Sequence, residues 1–355
     1  MAKHSRRQVL VLGAAGAAGL AMPWVSRAHA QERRITVAAY SGIFEDIYKK
    51  TVIEPFMKAN PSIRVNYVGF PTSAQNLGTL RAQKAAPQLD VCILDMVVAK
   101  AGANENLYKA VTPDVLPVMK QLVPTALIEG MPGPAVTFDN VAMIYSPKKF
   151  ASAPTSWKEL WNKAHAGRIT LDAPPNAVGM GFTFVANKLA GGTDYRDYSK
   201  GIKLLGEMAP LVQSWEPKPD CYASVTSGNA DLSVGYNARI QTFSRQTPDR
   251  IAASIPDEGS VFQINTINLV NNAPQQDAAL EFMAYALSAQ TQATFTEALP
   301  YAPTNRDAPL SPEALARTAV TPERMSKMIN IDWLEVAKFR DAITEQWRRN
   351  VLTRS

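Results

Sequence analysis

Residues 256–270 read "PDEGSVFQINTINLV". Val261, Phe262, Ile264, Ile267, Leu269 and Val270 are apolar and mostly strand-favouring, so the run predicts a β-strand. Three neutral amides, Gln263, Asn265 and Asn268, interrupt it. They either form a solvated face of a sheet or line a cleft. The rest of the chain bears on that choice.

Upstream, strands alternate with helices. "RITVAA" (34–39) is a strand, Tyr40-Ser41-Gly42 a turn, and Ile43 to Phe56 an amphipathic helix that Asn60-Pro61 should stop. "IRVNYVGF" (63–70) is a second strand, followed by a helix starting at Ser73. "LDVCIL" leads to Asp95, an expected helix N-cap. This order predicts βαβ units and a mainly parallel sheet. Gly130, Pro132, Gly133 and Pro134 then precede an extended run, Ala135 to Tyr145, which reads as a strand crossing into a second lobe. Helices are expected near Trp157, Asn176 and Asn237. Trp157 and Trp161, four apart, read as core. The opening run is the return crossing. Helices over 274–299 follow, then a Pro-rich loop, then one final helix with Trp333, Val336, Ile343 and Trp347 along one side.

The expected organisation is therefore two α/β lobes: residues 31–137 with 266–355, carrying the C-terminal helices, and residues 138–265. A cleft between lobes, at the carboxyl ends of strands, is where ligands of such sheets collect.

Residues 1–30 stand apart. A basic start with Arg6-Arg7, an apolar middle and Ala28-His29-Ala30 read as a twin-arginine export signal cleaved after Ala30. That places the mature chain in the periplasm, with the twin-arginine export machinery as a partner. The signal holds four basic residues and no acid, so the mature chain has 37 − 4 = 33 basic and 31 acidic residues, a net charge of +2. No basic stripe is left to suggest nucleic acid.

His4 and His29 leave with the signal, so His165 alone must serve any histidine-dependent triad or zinc site. It reads as a surface or helix-capping residue. No G-x-S-x-G, C-x-x-C or H-E-x-x-H motif occurs. Carboxylate-only chemistry remains the route to a periplasmic enzyme. Cys92 and Cys221 read as free thiols. No metal or cofactor is implied.

The signal, "YSGIFEDIYKKTVIEPFMKANPSIRVNYV", "PTSWKELWN", "PDEGSVF…NTINLV" and "YAPTNRDA" together resemble bacterial extracellular solute-binding proteins of ABC importers, in the spermidine/putrescine-binding branch. The resemblance covers the mature chain. It implies a two-lobe periplasmic-binding-protein fold with two crossing strands, closing on a small solute as a monomer and delivering it to the transmembrane subunits of an ABC permease.

The polyamine pattern is only partly kept. Its Trp and Asp on the return strand resemble Gln263 and Asn265, and its tyrosine near the third strand resembles Met96, beside Asp95. No acid follows Asp172 in the next strand's loop. Tyr236 and Tyr301 keep two aromatic positions. Diamines need buried counter-charges, so the loss of carboxylates favours an anionic or zwitterionic solute, with polyamine binding as the alternative. Expected ligand-binding residues are Tyr40, Ser41, Asp95 and Tyr301 on one side, and Asn176, Tyr236, Arg239, Gln263 and Asn265 on the other. Tyr236 and Tyr301 would clamp, Gln263 and Asn265 would hydrogen-bond, and Arg239 would hold an anionic group bidentately.

Overall fold

Arg33–Tyr40 pairs in parallel with Ile63–Phe70 and with Val91–Asp95, as the alternating pattern predicts. The computed structural model describes residues 32–354; the expected signal and its cleavage site lie outside the described residues. Ile35, Val37, Ile63, Val91 and Ile93 carry the buried face of this sheet. The first helical stretch runs as Ile43–Tyr48, a π turn at Lys49–Ile53, and Glu54–Ala59. It stops where expected, with the Asn60 N–H returning to the Phe56 carbonyl. Its N-cap is Gly42, at φ 73°, a left-handed conformation that glycine adopts without strain. Ser41 therefore does not cap it.

The two crossing strands are Ala135–Tyr145 and Phe262–Val270. They pair antiparallel with each other, and Phe262–Val270 also pairs antiparallel with Val91–Asp95. Ala135–Tyr145 serves two sheets. Up to Asn140 it pairs with the return strand; from Val141 to Tyr145 it pairs with Leu232–Tyr236. Ile169–Thr170 and Val212–Ser214 extend the second sheet.

Each sheet has its own core. Phe44, Phe56, Phe138, Phe282 and Phe295 belong to the first. Trp157, Phe182, Phe184, Leu205 and Trp347 belong to the second. Trp157 is fully buried, with its indole N–H donating to the Gly259 carbonyl at 2.8 Å. Trp161 is half-buried and packs on Phe182.

The C-terminal region departs from the sequence expectation in two ways. The single final helix is broken into Trp333–Val336 and Arg340–Asn350. Its apolar side packs on the second core, not the first: Val336, Ile343 and Trp347 are buried beside Trp157 and Phe182. The chain crosses back to reach it. Ile329 N–H donates to the Ser260 carbonyl at 2.8 Å, and the Trp333 indole to the Phe262 carbonyl at 2.8 Å. We propose lobe boundaries at Asn140/Val141 and Val261/Phe262, with the last two helices in the second lobe.

Asn268 is also not on a solvated face. It is fully buried, and its Nδ2 donates to Thr266 Oγ1 at 3.0 Å. Cys92 and Cys221 are buried and unpaired. His165 ends a short 3₁₀ turn, packs on Phe150 and meets Glu159 Oε1 at 2.7 Å. No helix among the described residues is long and apolar enough to cross a membrane.

Candidate solute site at the crossing strands

The pairing register builds the site. Asn265 lies opposite Asp95 on one side and Thr137 on the other. One step along, Gln263 lies opposite Asp139. Because side chains alternate along strands, Thr137 and Asp139 share a face, as do Gln263 and Asn265. A patch of polar side chains therefore sits where the chain changes sheets.

A hydrogen-bonded network joins four of the expected residues. Tyr40 Oη donates to Asn265 Oδ1 at 2.8 Å. Tyr40 has one proton, so Ser73 Oγ, 2.8 Å away, donates to the tyrosine oxygen. Ser73 Oγ in turn accepts the Asp95 N–H at 3.0 Å. Gln263 Nε2 donates to Asn265 Oδ1 at 2.7 Å and, more weakly, to Asp95 Oδ2 at 3.4 Å. Asn265 Nδ2 donates to Thr137 Oγ1 at 3.0 Å. Asn265 is 1 % exposed. It holds the crossing strands together from within this network. Asp95 also caps the following helix, its Oδ1 accepting the Val97 N–H at 2.9 Å, as the sequence predicts.

Aromatic rings wall the first-lobe side. Phe44 meets the edges of Tyr40 and Tyr301 at centroid distances of 5.5 and 5.8 Å, and Tyr301 stacks on Phe295 at 6.0 Å. Such pairs contribute about 0.5–1.5 kcal/mol each beyond area burial. Tyr236 stands on the second-lobe side, one residue before the helix Asn237–Gln246. Its phenol lies in the fields of both Asp95 and Asp139, and Tyr301 in that of Asp139. Tyr40, Tyr236, Tyr301 and the two acids thus lie within one another's electrostatic reach at the crossing.

Three expected residues stand apart from that patch. Asn176 is exposed, and its side chain caps the helix Ala177–Leu189 by accepting the Val178 N–H at 2.8 Å. Ser41 is exposed, with its backbone N–H bound to the Phe70 carbonyl. Arg239, expected to grip an anion, is already paired: its guanidinium lies 3.1 Å from Asp220 and 4.5 Å over the Tyr222 ring. Half of that side chain is exposed, so the pair is worth about 0–1 kcal/mol to stability.

Sequence reading missed the most unusual residue. Asp139 is 3 % exposed. Its Oδ1 accepts the N–H groups of Asn140 at 2.8 Å and of Ala238 at 3.1 Å, the latter at the start of the helix Asn237–Gln246. Those donors and the helix dipole favour the carboxylate by roughly 1 kcal/mol. Burial outweighs them and pushes the carboxyl up to about 7. Burial also raises Asp95, against the Val97 amide and Gln263. Among the described residues neither acid is in an ion pair with Lys, Arg or His. The available signal was an acid inside "AVTFDNVAMIY", an otherwise largely apolar run.

His165 is hydrogen-bonded to Glu159. What the arrangement offers is a hydrogen-bonded, acid-bearing, aromatic-walled patch between two sheets. Such a patch suits the holding of a small solute. The comparisons agree: residues 51–322 match the bacterial extracellular solute-binding protein family, and the chain belongs to it. It is similar to the γ-aminobutyric acid-binding protein of Pseudomonas aeruginosa, 24% identical over 301 residues, 80% of this chain and 81% of that one. It is also similar to the thiamine-binding periplasmic protein of Haemophilus influenzae, 24% identical over 251 residues, 68% of this chain and 70% of that one. Among solved structures, the spermidine/putrescine ABC transporter substrate-binding protein of Streptococcus pneumoniae shares the fold. Its TM-score is 0.74 at 14% identity, covering 91% of this chain and 100% of that one. The protein is a solute-binding component of an ABC transporter, and its matched relatives are binding and transport proteins, not enzymes.

Proposed function

We propose that this protein captures a small zwitterionic solute, an amino acid whose ammonium and carboxylate are separated by a short chain, and hands it to an ABC permease after twin-arginine export to the periplasm. One observation carries the reading: two acids, Asp95 and Asp139, lie at the crossing strands, and among the described residues no cationic side chain is within ion-pair distance of either. A buried carboxylate without a counter-ion is costly, and a solute ammonium supplies one. A purely anionic solute would add to the repulsion. The γ-aminobutyric acid-binding and thiamine-binding relatives support a cationic group, since both solutes carry a positively charged nitrogen.

The carboxylate end has a separate counterpart. Arg340 Nη2 donates to the Pro175 carbonyl at 2.7 Å, beside the start of the helix Ala177–Leu189, and its charge acts on Asp95. A guanidinium next to a helix N-terminus suits a carboxylate. Tyr236 and Tyr301 would pack on the chain between the two ends. Closure then follows because the solute contacts both lobes at once.

Titration with γ-aminobutyrate, putrescine and glutarate, read by intrinsic tryptophan and tyrosine fluorescence, tests this. γ-Aminobutyrate is expected to saturate, putrescine to bind at least tenfold more weakly for want of a carboxylate, and glutarate not to bind. Arg340→Ala should erase the preference for γ-aminobutyrate over putrescine. Tighter binding of putrescine would restore the polyamine alternative; binding of glutarate alone would reverse the charge assignment.

A further inference from the structure

Asp139 has a property that solute capture alone does not require. The carboxyl is buried where the first crossing strand changes sheets, and the groups near it are poor counter-ions. Its charge acts on Tyr222 of the helix Cys221–Thr226, on Tyr236 of the strand Leu232–Tyr236, and on Tyr301 after Ala289–Ala298. All three phenols are pushed far above their ordinary range by burial, so they are neutral around pH 7. Across the return strand the opposed residue is Gln263, a neutral amide. On the helix Asn237–Gln246 the one nearby cation, Arg239, is turned to Asp220 and stacked on Tyr222.

We propose that solute capture by this protein is proton-linked: the empty cleft keeps Asp139 protonated, and the arriving ammonium displaces that proton and takes its place. This rests on the reading of the solute as an amine. The balance is simple. The carboxylic O–H bond breaks, the proton leaves to solvent, and the charge it neutralised is neutralised by the ammonium. No covalent bond to the solute forms. The carboxyl's position, near 7 in the empty protein, puts the exchange in the neutral range. The geometry tolerates both states, because Oδ1 keeps its two backbone donors whether or not Oδ2 carries a proton.

Two measurements decide it. The first uses the empty protein and Asp139→Asn, which keeps an oxygen for the two amide donors. A group raised on folding gives stability that is full below its unfolded value and is lost as pH rises through its folded value. Asn cannot titrate, so the melting temperature of the variant relative to the natural protein is expected to climb between pH 4 and 7 and level off above. Asp95 titrates in both proteins and cancels. A difference that is flat from pH 4 to 8 overturns the proposal. The second is calorimetry of γ-aminobutyrate binding to the natural protein at pH 7 in buffers of differing ionisation enthalpy. About half a proton should be released per solute, rising toward one at pH 6, and affinity should fall about a hundredfold from pH 8 to 5. Zero release overturns the exchange. If no amine binds, the solute reading fails and the exchange with it, while the proton on Asp139 is judged by the first measurement alone.

Discussion

Asp139→Asn is expected to lose solute affinity and gain stability together. Removing one member of a buried charge pair costs a complex about 2–5 kcal/mol, so γ-aminobutyrate affinity should drop by between roughly thirtyfold and several thousandfold. The empty protein should move the other way. Its carboxyl stands at about 7 against an ordinary value of 3.8, and at about 1.4 kcal/mol per unit the neutral amide relieves on the order of 4 kcal/mol at pH 8. Binding sites commonly hold such destabilised groups, and neutralising them trades function for stability. Fluorescence titration and urea denaturation at pH 8 check the two halves. A variant that loses both affinity and stability would show Asp139 to be a structural acid. One that keeps its affinity would remove it from the site.

Trp347→Ala is expected to have the largest effect on folding. The indole is fully buried, donates to Thr183 Oγ1 at 2.8 Å, and meets the edge of Trp215 at 5.3 Å. Truncating such a core tryptophan costs about 3–5 kcal/mol in cavity and lost contacts. The place where the damage appears tests the proposed lobe boundary. Hydrogen exchange should rise in Ala177–Leu189 and Ser199–Met208, the helices that Arg340–Asn350 packs against. The sheet formed by Arg33–Tyr40 and its neighbours should be spared. A loss under about 1 kcal/mol, or protection lost first around Phe56 and Phe282, would return the C-terminal helices to the first lobe.

These two residues also show what the sequence could and could not convey. Both crossing strands were legible, because period-two patterning and Pro/Gly punctuation are local signals. So were the cap at Asp95 and the helix start near Asn176, where in each case one side chain meets an amide two residues on. The Trp333–Trp347 stripe showed which face of the last helices is apolar. It could not show which core that face would meet, since the chain must first cross back beside Ser260 and Phe262. Sequence left Arg239 between a ligand contact and a surface salt bridge, because its partner, Asp220, is 19 residues away and reaches it only through the fold. Gln263 and Asn265 were placed correctly at the crossing. Their amides satisfy Tyr40, Thr137 and Asp95. The neutral pair suggested that the carboxylates had been lost. The register shows an acid directly across from each: Asp95 from Asn265, and Asp139 from Gln263.

The most direct test is a crystal structure of the protein bound to γ-aminobutyrate. It should show the ammonium nitrogen within about 3.2 Å of an Asp139 carboxylate oxygen, between the Tyr236 and Tyr301 rings. An ammonium held elsewhere, with Asp139 still facing only the Asn140 and Ala238 amides, would contradict the account.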